Sequence, residues 1–272
     1  LKAVWHRGAV DADGKTGDGA GILTQIPDNF FDDEIAKTGH EKREEPLGIG
    51  MMFLPRNDYV ALEKCRTIIE SELLDHGYYI YGWRQVPINN SVIGEKANST
   101  RPEIEQVMFV NNIERGKNFD YSKELYLVRR RLEKRIAKQQ INGFYVCSLS
   151  FESIIYKGLF LAEQLSIFYP DLAKESFVSS YAVFHQRYST NTFPSWGLAQ
   201  PFRMLAHNGE INTISGNTNW MRNHQTRIAS EIFGDDSEQV KPIIEKNVCD
   251  SAALDAAFEL YVRAGRSYTS TW

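Results

Sequence analysis

Apolar positions recur along this chain with two periods. Residues 22–26 and 48–54 are short apolar runs bounded by polar or turn residues, and each predicts a strand. Leu62, Cys65, Ile69 and Leu73 then recur at steps of three, four and four, which places them on one face of a helix. Asp58 is its candidate N-cap and Gly77 its candidate end. Residues 78–83 read as a strand. Leu125, Val128, Leu132 and Ile136 repeat the spacing and predict a second amphipathic helix. Residues 144–149 and 181–187 read as strands, 204–207 as a short apolar segment ending in a polar turn, and 213–228 and 251–264 as helices.

Strands and helices mix without strict alternation, so the pattern predicts antiparallel sheets with helices on their outer faces rather than a doubly wound parallel sheet. No internal repeat or linker composition divides the 272 residues, which form one domain in this reading. Both ends read as cut: Leu1 opens inside a helix leading to Trp5, His6 and Arg7, and residues 267–272 follow an apolar helix without a turn signal. The domain over 1–272 is therefore expected to be incomplete at each end.

With 42% hydrophobic and 24% charged residues, the composition is that of an ordinary folded protein. The net charge of -4 gives no basic excess for nucleic acid. No stretch approaches the roughly 18 apolar residues of a membrane span, and no apolar core follows a basic start, so a cytoplasmic location is expected. Cys65, Cys147 and Cys249 stand too far apart for a disulfide framework or a zinc site. Cys65 lies on an apolar helix face and reads as a buried structural thiol. The run Arg129, Arg130, Arg131 reads as a solvated helix face.

Residues 8–21 hold glycines and aspartates in a loop whose backbone needs glycine's freedom. This is not a dinucleotide fingerprint, because the third glycine of the 17–21 segment comes one place early and a strand follows instead of a helix. Three later clusters carry candidate chemistry. In residues 185–192 an apolar strand ends at Arg187, then hydroxyl residues including Thr190. An arginine there can fork onto a carboxylate, or make a surface ion pair. Asn208 and Gly209 can form a tight turn, or offer a side-chain amide and a backbone N–H to an oxyanion. Asp250, opening a predicted helix, can act as its N-cap or hold an ammonium group.

In order, Trp5-His6-Arg7-Gly8, residues 17–22, residues 185–190, residues 207–212 and Asp250-Ser251 resemble the class II glutamine amidotransferases. Residues 78–84, 94–97, 156–158 and 189–194 are similar to the glutamate-forming branch of that family. The resemblance runs from residue 1 to about 266 and stops before the last six residues. It implies an α+β fold of the N-terminal-nucleophile hydrolase type, a four-layer αββα sandwich of antiparallel sheets. It also implies hydrolysis of L-glutamine to glutamate and ammonia by a cysteine whose own free α-amino group assists proton transfer. By the same resemblance Arg187 would hold the glutamine α-carboxylate and Asp250 its α-ammonium. Thr190 would be a polar neighbour, Asn208 and Gly209 the oxyanion hole, and Arg7 a positioning group beside the nucleophile.

Residue 1 is leucine, and none of the three cysteines has a free α-amino group, so these residues alone are expected not to hydrolyse glutamine. For the whole enzyme the resemblance implies FMN, an iron–sulfur cluster, 2-oxoglutarate and a reduced donor, usually NADPH through a small electron-transfer subunit. No residue of this stretch is assigned to those cofactors, and no nucleic-acid or membrane partner is expected. Two other readings stand beside this one. A non-catalytic glutamine-binding module would keep the ligand residues without the nucleophile. Another class II amidotransferase would share the motifs, although the long segment from 28 to 170 argues against it.

Overall fold

The computed structural model describes residues 8–186, 192–246 and 248–271. Two antiparallel sheets form its centre. The four-stranded sheet has the order β3-β4-β2-β5, from β2 (Leu47–Leu54), β3 (Tyr78–Gln85), β4 (Glu103–Asn111) and β5 (Tyr145–Ser150). The three-stranded sheet has the order β6-β1-β7, from β1 (Ala20–Gln25), β6 (Ser153–Gly158) and β7 (Ala182–Gln186). Only Phe151 and Glu152 separate β5 from β6, so the chain changes sheets there. The Ser150 hydroxyl accepts the Glu152 and Ser153 amides at 2.9 and 3.2 Å and holds that corner.

The helices are α1 (Asp28–Ala36), α2 (Tyr59–Asp75), α3 (Glu95–Ser99), α4 (Tyr121–Lys138), α5 (Leu165–Phe168), α6 (Ile214–Ile232), α7 (Asp250–Arg263) and α8 (Tyr268–Thr271). One core lies between the sheets, where Met51, Phe53 and Met108 meet Ile154, Tyr156 and Phe160. A second lies on the outer face of the four-stranded sheet. There the predicted stripes of α2 (Leu62, Cys65, Ile69, Leu73) and α4 (Leu125, Val128, Leu132, Ile136) bury against Met52, Val107 and Phe109. A third joins α4 to α6 and α7 through Tyr126, Leu127, Ala253 and Leu260. The α+β architecture of antiparallel sheets is the expected one.

Asp58 caps α2 by accepting the Ala61 amide at 2.9 Å, and Gly77 follows its end at a φ of +77°. Other expectations are corrected. The hydrophobic pattern does not predict β4 and β6, and residues 204–207 form neither strand nor turn. Arg129 and Arg130 are buried rather than solvated, since α7 and the 242–245 segment cover that side of α4.

At the centre, Arg84 makes two bonds to Asp171, both of 2.7 Å, and one of 2.8 Å to Glu34. It also donates to Gln106 at 2.9 Å, and Gln106 in turn donates to the Tyr156 hydroxyl at 2.9 Å. This network ties α1, β3, β4, β6 and the 170–173 turn together.

Candidate functional site

β1 is the middle strand of its sheet, and the motif residues gather around its ends. At Gly21 a Cβ would stand 2.7 Å from the Gln200 carbonyl oxygen and 2.6 Å from the Lys157 Cβ. Only glycine lets the segment that begins at Gln200 lie this close to the sheet. Gly8 lies against the Gln186 side chain at the end of β7. The residue after Arg7 and the residue before Arg187 are thus neighbours. Arg7, Arg187 and Thr190 themselves lie outside the described residues.

The segment from Gln200 to Ile211 has almost no regular structure, yet it is fixed along its length. The buried Gln200 amide donates from Nε2 to the His207 carbonyl at 2.9 Å and accepts the His207 N–H on Oε1 at 2.7 Å. A side chain thereby makes the two bonds of a β-bridge. The Met204 and Leu205 amides both donate to Asp255 Oδ1, at 2.8 and 2.9 Å. His207 Nδ1 lies 3.1 Å from the Ser251 hydroxyl, and the Ile211 amide donates to Asp250 Oδ2 at 2.9 Å. Three of these anchors, Asp250, Ser251 and Asp255, come from the first turns of α7.

Between the anchors, Asn208 and Gly209 are exposed. They do not form the tight turn that their pairing suggests. No turn hydrogen bond spans them, and Gly209 is not among the glycines of positive φ. The glycine instead makes room for the His207 ring: a Cβ there would stand 2.5 Å from His207 Nε2, so the ring would have to shift. Asp250 is not an N-cap either. Cys249 occupies that position without a side-chain bond, and Asp250 is the first residue of the helix. Its buried carboxylate turns back to accept the Ser251 amide at 2.7 Å and the Ile211 amide. The structure therefore joins the Asn208–Gly209 loop and Asp250 into one unit.

The electrostatics of α7 are uneven. Burial, with Glu259 nearby, raises the Asp255 carboxyl to about 6, against the pull of Arg203 and the two amides. Glu133 on α4 is partly buried, and Arg129, Arg130 and Arg203 overcome its desolvation and hold it at about 2. Arg129 bridges Glu133 at 2.8 Å and Glu259 at 2.6 Å. A broad cleft of about 1650 Å³ runs past Arg129, Glu133, Arg203, Asp255 and Glu259, but Asn208, Gly209 and Asp250 are not part of its lining. Of these, Arg129, Glu133, Arg203 and Glu259 are ion-paired with one another.

All three cysteines are buried, and burial pushes their thiols up, Cys65 to about 11 and Cys147 to about 12, with Cys249 also raised. None is a thiolate nucleophile. Among the described residues no cluster of three or more histidine, cysteine or acidic side chains is arranged to hold a metal. Among the same residues no helix is long and apolar enough to cross a membrane.

Sequence reasoning does not find the anchors Gln200 and Asp255. Asp255 and Glu259 do leave a trace, an acidic pair four residues apart on an otherwise apolar helix.

The chain matches the family described as glutamine amidotransferases class-II over residues 1–272. It is 59% identical over 268 residues to the large chain of the NADPH glutamate synthase of Azospirillum brasilense. It is 41% identical over 266 residues to the corresponding chain of Bacillus subtilis (strain 168), and 41% over 269 residues to the chloroplastic ferredoxin-dependent glutamate synthase of Spinacia oleracea. Each match covers 98% of this chain but only 18%, 17% and 16% of those relatives, so the chain spans less than a fifth of their length.

Proposed function

This chain belongs to the class-II glutamine amidotransferases, and from that premise we propose that it forms the glutamine-binding and oxyanion-stabilising part of a glutamate synthase. In this reading a cysteine outside these residues attacks the side-chain amide of L-glutamine, ammonia leaves, and water hydrolyses the thioester. The ammonia serves reductive amination of 2-oxoglutarate elsewhere in the same protein. Asn208 and the Gly209 N–H donate to the oxyanion, Asp250 holds the α-ammonium, and Arg187 holds the α-carboxylate with Thr190 beside it. Arg7 sits near the nucleophile. FMN, an iron–sulfur cluster and the electron donor belong to regions outside this chain. The relatives' names include both NADPH and ferredoxin, and the resemblance to the NADPH forms favours NADPH through a small electron-transfer subunit.

One observation carries the reading. The amide of Ile211, two residues beyond Gly209, donates to Asp250 at 2.9 Å, which couples the oxyanion donors to the ammonium partner. A non-catalytic glutamine binder would have no need of a donor pair whose two flanks are both held against α7.

Asn208→Ala in the full-length protein tests it. The oxyanion charge exists mainly in the transition states, so losing its donor lowers kcat and spares KM. The expected fall is about 100- to 1000-fold. Glutamate formation from added ammonia uses a separate site and should survive. A parallel loss of glutamine- and ammonia-dependent activity would defeat the assignment.

A further inference from the structure

We propose that Asp255 is a positioning residue for glutamine hydrolysis: with Ser251 and Asp250 it makes α7 the template on which the Asn208–Gly209 loop is shaped. This deepens the function proposed above and rests on it.

The geometry is specific. A loop of this length without regular structure has backbone donors that must be satisfied, and water would serve an exposed loop equally well. Here three of them, those of Met204, Leu205 and Ile211, are instead claimed by one helix. Asp255 Oδ1 takes two consecutive amides, of Met204 and Leu205. One helical turn back toward the N-terminus, the Ser251 hydroxyl meets the His207 ring, and Asp250 takes the Ile211 amide. The loop therefore runs antiparallel to the advance of the helix: its early residues sit on Asp255 and its late ones on Asp250. Gln200 closes the loop from the other side through its two bonds to His207. Asn208 and Gly209 fall between His207 and Ile211, with both flanks fixed, so their donors need not be ordered when charge develops.

Asp255 itself does not touch that charge. It fixes Met204 and Leu205, and through them the approach to His207. Placing a carboxylate in a buried position is costly, and the only backbone groups it serves among the described residues are these two. The packing of α7 does not call for an acid there, since its neighbours Ala253 and Leu260 pack into the α4 core. The acid is explained by the loop.

The test uses the full-length protein. Because both amides bond to the same oxygen, Asp255→Asn can keep them through its carbonyl, whereas Asp255→Leu removes the acceptor. The expected result is glutamine hydrolysis within a few-fold of wild type for D255N, and a fall of about 10- to 100-fold in kcat for D255L with KM little changed, the scale of a misplaced catalytic group. Hydrogen exchange should show the Met204 and Leu205 amides released in D255L while α7 stays protected. Equal kcat in D255L and wild type would overturn the proposal, as would a joint rise of KM and loss of α7 protection. Exchange in the unmodified protein decides the case should D255L not fold: Met204 and Leu205 must exchange as slowly as α7, and rapid exchange there overturns it. If Asn208→Ala leaves hydrolysis intact, the functional reading has failed instead, whatever the exchange data show.

Discussion

Asp255 meets two opposed demands. Its oxygen must accept two amides, which favours the anion, and its burial beside Glu259 favours the acid; burial wins and the carboxyl titrates near 6. An unfolded aspartate titrates near 3.8. Between these values the folded chain retains a proton that the unfolded chain has released. Stability therefore falls as pH rises through that window, and the penalty is complete above about 6. Asp255→Asn keeps the acceptor and carries no charge to bury. Its stability should match wild type near pH 4 and exceed it by about 1–3 kcal/mol near pH 8, since the folded and unfolded values differ and each pH unit between them corresponds to roughly 1.4 kcal/mol. Chemical denaturation across that range checks this. A difference independent of pH would mean that the carboxylate is not the source. The same residue shows why part of the candidate site escapes a reading of the sequence. Asn208, Gly209 and Asp250 announce themselves through ordered motifs, but a single aspartate among alanines gives no sign of which amides it serves.

At the scale of elements, legibility follows how each one is covered. α2 and α4 each bury one face against the same sheet, so their stripes appear at helical spacing. β4 is covered on both faces and holds Glu105 and Gln106 inside, paired with Arg66 at 2.5 Å and with Arg84 at 2.9 Å, so no alternation marks it. β6 hides in the same way, with buried Lys157 donating to the Gly197 carbonyl at 2.8 Å. On α4, Arg129 and Arg130 flank the apolar stripe, and nothing local reveals that α7 will cover them. The outcome is a strong dependence on Glu133, which receives both arginines at 2.8 Å. Glu133→Gln leaves two buried guanidinium groups with half their compensation and should cost about 3 kcal/mol at neutral pH. The depressed Glu133 carboxyl contributes stability that is present above an ordinary 4.5 and is lost as pH falls toward about 2. The gap between E133Q and wild type should therefore narrow on acidification below about pH 4.5. A gap that widens instead would show that Glu133 is not held as an anion.

For the whole molecule, the question is what keeps two sheets in register while the segment leading to the candidate site rests on one of them. The inter-sheet core supplies most of the cohesion, but apolar contacts alone do not specify register. The Arg84 network does, because its bonds have directions. It reaches Asp171 twice, Glu34, and Gln106, and through Gln106 the Tyr156 hydroxyl on the other sheet. Tyr156 also lies within 3.2 Å of Asp171, which closes the circuit. Asp171→Ala would leave Arg84 buried with only Glu34 as a charged partner, at a cost of about 3–5 kcal/mol, or a midpoint lowered by roughly 10 °C for a chain of this size. Replacing both partners, Arg84→Met with Asp171→Leu, removes the charge together with its counter-charge. Glu34 then retains Lys37 at 2.8 Å and Lys174 at 3.6 Å. The double variant should accordingly recover most of the loss and lie within about 2 kcal/mol of wild type, since a buried ion pair is worth little beyond a well-packed apolar one. If the pair's value is orientation rather than stability, that recovery in midpoint will not be matched in function. β6 carries both Tyr156 and Lys157, and Lys157 abuts Gly21, on which the Gln200 segment rests. A sheet free to shift would pass its freedom to the loop that Gln200 holds. The expected result in the full-length protein is a double variant with a near wild-type midpoint and a glutamine-hydrolysis kcat reduced several-fold. Equal recovery of midpoint and kcat would show that the apolar core sets the register unaided.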